Sequence, residues 1–269
     1  MVRVGLVGCG TIGSRLALTV EHALKRYAKI VALHDVDQTH AHALQRRLAS
    51  HPPIVSLPIL IRRSQLVIEA ASAHVVGDVV SRALRQHRNV LVMSIGGLLH
   101  DHRWQRLAAQ SRGTVILPSG ALAGLDGVKA MAVGGRLRRV WLTSSKPPQA
   151  LTEAPYVRAR GLHLDRLKRP RTIFEGSARE AVKAFPQNTN VAAALALASG
   201  VSDQRVRVRV VADPTIRFNR HEIEVAGDCG RLQCRIESRP SANPKTSEVA
   251  VRSAIAALER MFASVTVGT

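Results

Sequence analysis

The sequence predicts a two-domain α/β protein: an N-terminal doubly wound parallel sheet, then an α+β domain on a mixed or antiparallel sheet. Three observations predict it. A strand-like run, Val2–Val7, ends in the glycine turn Gly8-Cys9-Gly10-Thr11-Ile12-Gly13. Strand and helix patterns then alternate to about residue 118, as in chained βαβ units. Beyond that point come runs in which Arg and Val alternate, as over residues 205–211, the pattern of a sheet with one wet face.

The glycine turn is followed at once by a helical pattern over residues 14–26. Strand, turn and helix together carry the G-x-G-x-x-G spacing of a Rossmann dinucleotide-binding domain. Gly8 permits the tight turn, Gly10 lets the backbone approach a pyrophosphate, and Gly13 lets the helix pack on the strand. Thr11 and Ile12 open the helix, whose free N–H groups favour phosphate. A second apolar run, residues 30–33, leads into Asp35. An acid about 20 residues past the turn reads a ribose 2′-hydroxyl and repels a 2′-phosphate, so NAD is expected over NADP. Arg46 and Arg47 soften that expectation and keep NADP in view.

The alternation continues with a helix over residues 39–49, a strand over 66–70, a helix over 75–86, a strand over 90–93, a helix over 102–110 and a strand over 115–117. Ligands in such sheets lie beyond the carboxyl ends of the strands. The candidate loops are therefore residues 8–13, 71–74, 94–97 and 118–124.

In the second part, residues 139–144 read as a strand, and residues 146–171 are rich in Pro and Arg without clear periodicity. Helices are expected over 177–184 and 190–198, strands over 205–211, 217–225 and 231–237, and a final amphipathic helix over 246–262. The expected division is a dinucleotide-binding domain at 1–118 and a catalytic, substrate-binding and dimerisation domain at 119–244. The last helix, within 245–269, packs back on the first domain.

The charge is unusual. Lys and Arg number 39 against 19 Asp and Glu, a formal net charge of +20 at pH 7. The arginines are scattered over most elements, and aromatic residues are only 3% of the chain, too few for base-stacking platforms. Nucleic-acid binding is thus not expected as the main role, and a field drawing in anionic ligands is the functional alternative to a merely solvated surface. No apolar run is long enough to span a bilayer, and the N-terminus lacks the pattern of a signal peptide. Three cysteines without a C-x-x-C suggest neither a disulfide frame nor a zinc knuckle, and point to a reducing cytoplasm. His40 and His42 lack a third ligand, so no metal site is expected.

Of the eleven histidines, His221 has the most suggestive setting, between Asn219-Arg220 and Glu222 at the start of a strand. An imidazole is suited to proton transfer near neutrality. Asp213 and Glu222 are both candidates to orient it. The amides before the Ala-rich helix, in Gln187-Asn188-Thr189-Asn190, suit either helix capping or a ligand.

These residues lie in segments that resemble the L-aspartate dehydrogenase family over nearly the whole chain. The segments are GLVGCGTIG, EAASAHVV, NVLVMSIGGL, LPSGALAGLDG, FEGSAREAVKAFPQNTNVAAALALA, VADPTIRFNRHEIEV and NPKTSEVAVRSAIAAL. The resemblance implies oxidation of L-aspartate to iminoaspartate with NAD(P). The product then yields oxaloacetate and ammonia or feeds NAD biosynthesis. It also implies His221 as the active-site residue, Ala121 and Asn190 as nicotinamide-cofactor contacts with Asn188 as a weaker candidate, and a homodimer. The chain departs from the family pattern at Gly97, where alanine is usual. A dicarboxylate substrate calls for a cationic clamp, and Lys245, before the last helix, is the candidate. Other readings of the same residues are a homoserine dehydrogenase-like or semialdehyde enzyme, or a non-catalytic dinucleotide sensor.

Overall fold

The computed structural model describes residues 1–99, 101–186, 190–241 and 247–268. The chain divides into two compact units, Met1–Pro118 with Val251–Thr266, and Ser119–Ala250 with Val267–Thr269.

The first unit contains β1 (Val2–Val7), α1 (Thr11–His22), β2 (Ala28–His34), α2 (Gln38–Arg47), α3 (Leu57–Arg63), β3 (Leu66–Glu69), α4 (Val76–Arg85), β4 (Asn89–Val92), α5 (Arg103–Gln110) and β5 (Val115–Ile116). Its sheet is wholly parallel, in the order β2-β1-β3-β4-β5. The order reverses between β1 and β3, so the loops after those strands flank the topological switch point where such sheets take ligands. Leu6, Leu16, Leu33, Leu66, Ile68 and Leu91 share one core with Ala254 and Leu258 of the last helix. Helix α3 is not expected from the sequence. Its Pro58 sits at the helix start, and the run Leu57-Pro58-Ile59-Leu60-Ile61 has no polar residue to reveal a period.

Two carboxylates pin the loops at the carboxyl edge of this sheet. Just beyond β2, the Asp35 Oδ2 accepts the Cys9 N–H at 2.6 Å and its Oδ1 accepts the Asp37 N–H at 2.9 Å. At the end of β3, the fully buried Glu69 accepts the Ala71 N–H at 2.9 Å, the Ser94 N–H at 3.0 Å and the Ser94 hydroxyl at 2.9 Å. Burial raises the Glu69 carboxyl above its usual range, and these bonds draw it partly back. The same two loops press together at Gly97, where a Cβ would collide with the Ala73 carbonyl and the Val76 side chain.

The second unit contains α6 (Leu125–Ala132), β6 (Leu137–Lys146), α7 (Pro155–Ala159), β7 (Arg171–Ser177), α8 (Ala178–Ala184), α9 (Asn190–Ser199), β8 (Arg207–Ala212), β9 (Asn219–Gly227) and β10 (Gly230–Ser238), and α10 (Glu248–Arg260) begins in it. Its sheet runs β10-β9-β6-β8-β7, with β6 and β8 parallel and the other pairs antiparallel, so it is mixed. Helices α8 and α9 pack on it, and the buried residues of β8 and β9 alternate as Val208, Val210, Ala212 and as Asn219, His221, Ile223, Val225. Ser177 starts α8 with a capping box completed by Glu180. Strand β7 and helix α6 are not expected from the sequence. Strand β7 follows the Pro- and Arg-rich stretch and gains its identity only from pairing with β8, where Arg171 meets Ala212. Helix α6 carries Gly127, which lowers its intrinsic helix propensity.

The loop pins generate a stability prediction. Glu69→Ala strands three donors in a buried setting, at a cost of about 2–4 kcal/mol, and Glu69→Gln, which keeps one acceptor oxygen, falls between it and wild type. Thermal unfolding of both variants measures this. A wild-type midpoint for Glu69→Ala would remove Glu69 as the pin.

Candidate active site

The glycine turn has the shape a dinucleotide needs. Gly8 adopts φ 91°, and a Cβ there would lie 2.5 Å from the Ala70 carbonyl oxygen, so only glycine fits. A Cβ on Gly13 would overlap the Gly8 carbonyl, which is what close packing of α1 on β1 requires. A Cβ on Gly10 would meet nothing within 4 Å, so the backbone there is open to a pyrophosphate. No side chain caps the start of α1, and its first turn, with Thr11 and Ile12, carries no acid. The residues present therefore fit the phosphates of a dinucleotide at a helix N-terminus. Cys9 takes no part as a nucleophile. Burial, and then the charge of Asp35, push its thiol up to about 12, although the His34 carbonyl works the other way.

In the second unit, an apolar sheet face turns polar at one end. Along β6 the inward residues are Val140, Leu142, Ser144 and Lys146, and along β9 they are Val225, Ile223, His221 and Asn219. Ser144 pairs directly with His221, and continuing that antiparallel register sets Lys146 opposite Asn219. On the far side of β9, Ile236 pairs with His221 and Ser238 with Asn219. His221 is 3% exposed, Lys146 4% and Asn219 2%. Among the described residues, the His221 Nδ1 and Asn219 Oδ1 are buried with no hydrogen-bond partner.

Electrostatics follow from this burial. Desolvation lowers the Lys146 ammonium from 10.5 to about 8. Desolvation first, and then repulsion by Lys146, lower His221 from 6.5 to about 3. The imidazole is thus neutral from mildly acidic to alkaline pH, while Lys146 carries a positive charge near neutrality. Together they offer one neutral proton acceptor and one cation.

Neither expected orienting acid serves His221. The Asp213 Oδ1 accepts the Thr215 N–H at 2.9 Å and the Thr215 hydroxyl at 2.6 Å, and its Oδ2 lies 4.0 Å from Arg220. Glu222 alternates to the opposite face of β9 and faces Arg235 at 3.8 Å. Ala121 is buried in the second unit, and Asn190 is the exposed first residue of α9. Asn188 and Lys245 lie outside the described residues. Among the described residues, no three His, Cys, Asp or Glu side chains group as metal ligands. No helix among them is long and apolar enough to cross a membrane.

Lys146 and Asn219 are missed by sequence reasoning, which ends the strand at residue 144 and treats Lys146 as loop. The signal is nevertheless present. The inward alternation continues through Ser144 to Lys146, and Pro147-Pro148 marks the strand's true end.

The buried lysine has a measurable signature. Between pH 8 and 10.5 the unfolded chain binds a proton at Lys146 that the folded protein does not, so its stability penalty is full below about pH 8 and fades as pH rises through that window. Lys146→Met therefore raises the thermal midpoint at pH 7 by roughly 5–10 °C, and the gain shrinks toward pH 10. A gain that does not change with pH would contradict the burial argument.

The chain matches two family models: the aspartate dehydrogenase C-terminal model over residues 126–261, and the homoserine dehydrogenase NAD-binding domain model over residues 8–116. It is 40% identical to an L-aspartate dehydrogenase of Methanosarcina barkeri, with 100% of both chains covered. It is 37% identical to one of Bradyrhizobium diazoefficiens, covering 100% of this chain and 94% of the relative. Among solved structures, the aspartate dehydrogenase of Thermotoga maritima shares the fold, with a TM-score of 0.71, 24% identity and 100% of both chains covered. With a glycine turn shaped for a dinucleotide, a buried histidine beside a buried lysine, and full-length relatives at this identity, the chain belongs to the aspartate dehydrogenase family of NAD(P)-dependent oxidoreductases.

Proposed function

We propose that the protein oxidises L-aspartate to iminoaspartate with NAD as hydride acceptor. The observation that carries the reading is the buried pair of a neutral imidazole and an ammonium at the polar end of one sheet face, in a full-length member of this family. Bound NAD supplies the carbon that receives the substrate's Cα hydride. The chain supplies binding, orientation and proton handling. Gly8, Gly10, Thr11, Ile12 and Gly13 hold the pyrophosphate, Asp35 the adenosine ribose, and Ala121 and Asn190 the nicotinamide end. His221 accepts a proton from the substrate's ammonium, so that the nitrogen lone pair can drive hydride departure and form the C=N bond.

Several observations support NAD over NADP. The loop bonds hold Asp35 in place, Asp37 follows it at the start of α2, and the intervening Val36 is 90% exposed and offers no charge to a 2′-phosphate. Arg46 and Arg47 stand in the last turn of α2, roughly 12–15 Å along the axis from its start. The three cysteines are free, in keeping with a cytoplasmic setting. We also assign a homodimer, through the half-exposed face of the second sheet. There Trp141 is flanked by Arg139, Arg207 and Arg209, and Glu175 pairs with the last two. Light scattering is expected to give twice 29.1 kDa.

Mixing the protein with L-aspartate and NAD at mildly alkaline pH is expected to produce NADH, with kcat/KM at least about tenfold higher for NAD than for NADP. His221→Ala lowers kcat by about 10²–10⁴-fold and leaves NADH binding intact. Turnover with another amino acid and none with aspartate overturns the substrate assignment. Wild-type turnover in His221→Ala removes the imidazole from the chemistry.

A further inference from the structure

We infer that Asn219 and Lys146 form the substrate grip. The Asn219 side-chain oxygen accepts a hydrogen bond from the substrate's α-amino group, beside His221, and the Lys146 ammonium holds a carboxylate. The inference rests on the aspartate reading above and adds the residues that recognise the amino acid.

Buried polar atoms in folded proteins nearly always have partners, and an exception calls for an explanation. Here two exceptions, Asn219 Oδ1 and His221 Nδ1, sit two residues apart on the same face of β9. Both are acceptors when the imidazole carries its proton on Nε2, and two adjacent unmet acceptors call for a group with more than one N–H. A primary amine or ammonium is such a group. The adjacent strand brings a buried ammonium to the same end of the sheet, opposite Asn219 in the register. A buried positive charge favours a carboxylate beside it. An α-amino acid carries both complements on one carbon, an amine and a carboxylate.

The pairing also accounts for choosing amino acids over hydroxy acids. A hydroxyl offers one donor and leaves one of the two acceptors unmet, whereas an amine satisfies both. A site built to receive N–H groups rejects an analogue that lacks them far more strongly than an apolar pocket rejects a size change. Asn219 cannot take the proton itself, because an amide oxygen is too weak a base, so it is a positioning and specificity residue. The proton goes to His221.

The test compares L-aspartate with succinate, the same dicarboxylate without the amine, by titration calorimetry in saturating NADH. Asn219→Ala is expected to weaken aspartate by about 10–100-fold and to leave succinate within about twofold. Asn219→Ser, which keeps an acceptor oxygen on a shorter arm, recovers part of the loss. Lys146→Met weakens both ligands by at least about tenfold. NADH affinity and a cooperative thermal transition report that each variant is folded. Asn219→Ala that binds aspartate like wild type overturns the grip, as does Asn219→Ala that loses aspartate and succinate alike, or Lys146→Met that binds both like wild type. Wild-type protein that oxidises no aspartate overturns the underlying reading instead, and steady-state assays separate that failure from the first.

Discussion

Lys146 carries its amine at the end of a strand whose earlier inward residues are Val140 and Leu142, and that placement governs the second unit. Taking an ammonium out of water is among the most expensive things a fold can do. The surrounding residues show how the cost is contained. The face changes from Val and Leu to Ser144, Asn219, His221 and Ser238 within two residues on each strand, and the strand that bears the lysine is the central one of five. A central position fixes the backbone on both sides: β8 holds it in parallel and β9 antiparallel. The Asp213 N–H donates to the Lys146 carbonyl at 2.9 Å just where β8 ends. The amine is therefore carried by the most constrained backbone of the unit. A group kept there against its solvation energy is characteristic of a site where stability is exchanged for chemistry.

The first unit meets the opposite requirement with carboxylates. Its loops must present backbone N–H groups to phosphate and still hold one shape. Asp35 and Glu69 do this by accepting N–H groups from the loops that follow or face them, so the carboxyl ends of β2 and β3 each carry an acid that ties down a turn. The acids are spent on loops, and the helix start at Gly10 to Gly13 is left without any side-chain acceptor. Anion binding then requires no rearrangement of the turn, which is what preorganisation means in energetic terms.

The sequence makes the first unit far more legible than the second. Parallel βαβ units write their period locally: Val2–Val7, the glycine turn and the helix after it are contiguous, and Asp35 closes the next strand. The mixed sheet has no such local grammar. Strand β7 is defined by a partner some forty residues away, and the strand order β10-β9-β6-β8-β7 is not chain order. His221 can be picked out because its residue type is rare and chemically suggestive. Lys146 is harder to pick out, because lysine is the ordinary residue of a solvated surface and only the alternation that runs on to Pro147 places it on the inward face. Asp213 and Glu222 fail as orienting acids for the converse reason: nearness in sequence to His221 says nothing about face, and strand alternation sends Glu222 to the other side.

The grip also resolves an apparent conflict in the acid–base chemistry. A histidine held at about 3 is a weak base for an ammonium proton. The depression, however, belongs to the ligand-free site, where the imidazole sits in a desolvated pocket beside a positive lysine. A substrate carboxylate on Lys146 cancels that repulsion and brings negative charge of its own, and an opposite charge within ~4–6 Å moves such a group by about 1–3 units. The imidazole is then a stronger base in the complex than in the free enzyme. The free site stays unprotonated across the physiological range, so it never has to lose a proton before substrate enters. Binding thus removes the lysine's share of the depression, while desolvation, the larger share, remains.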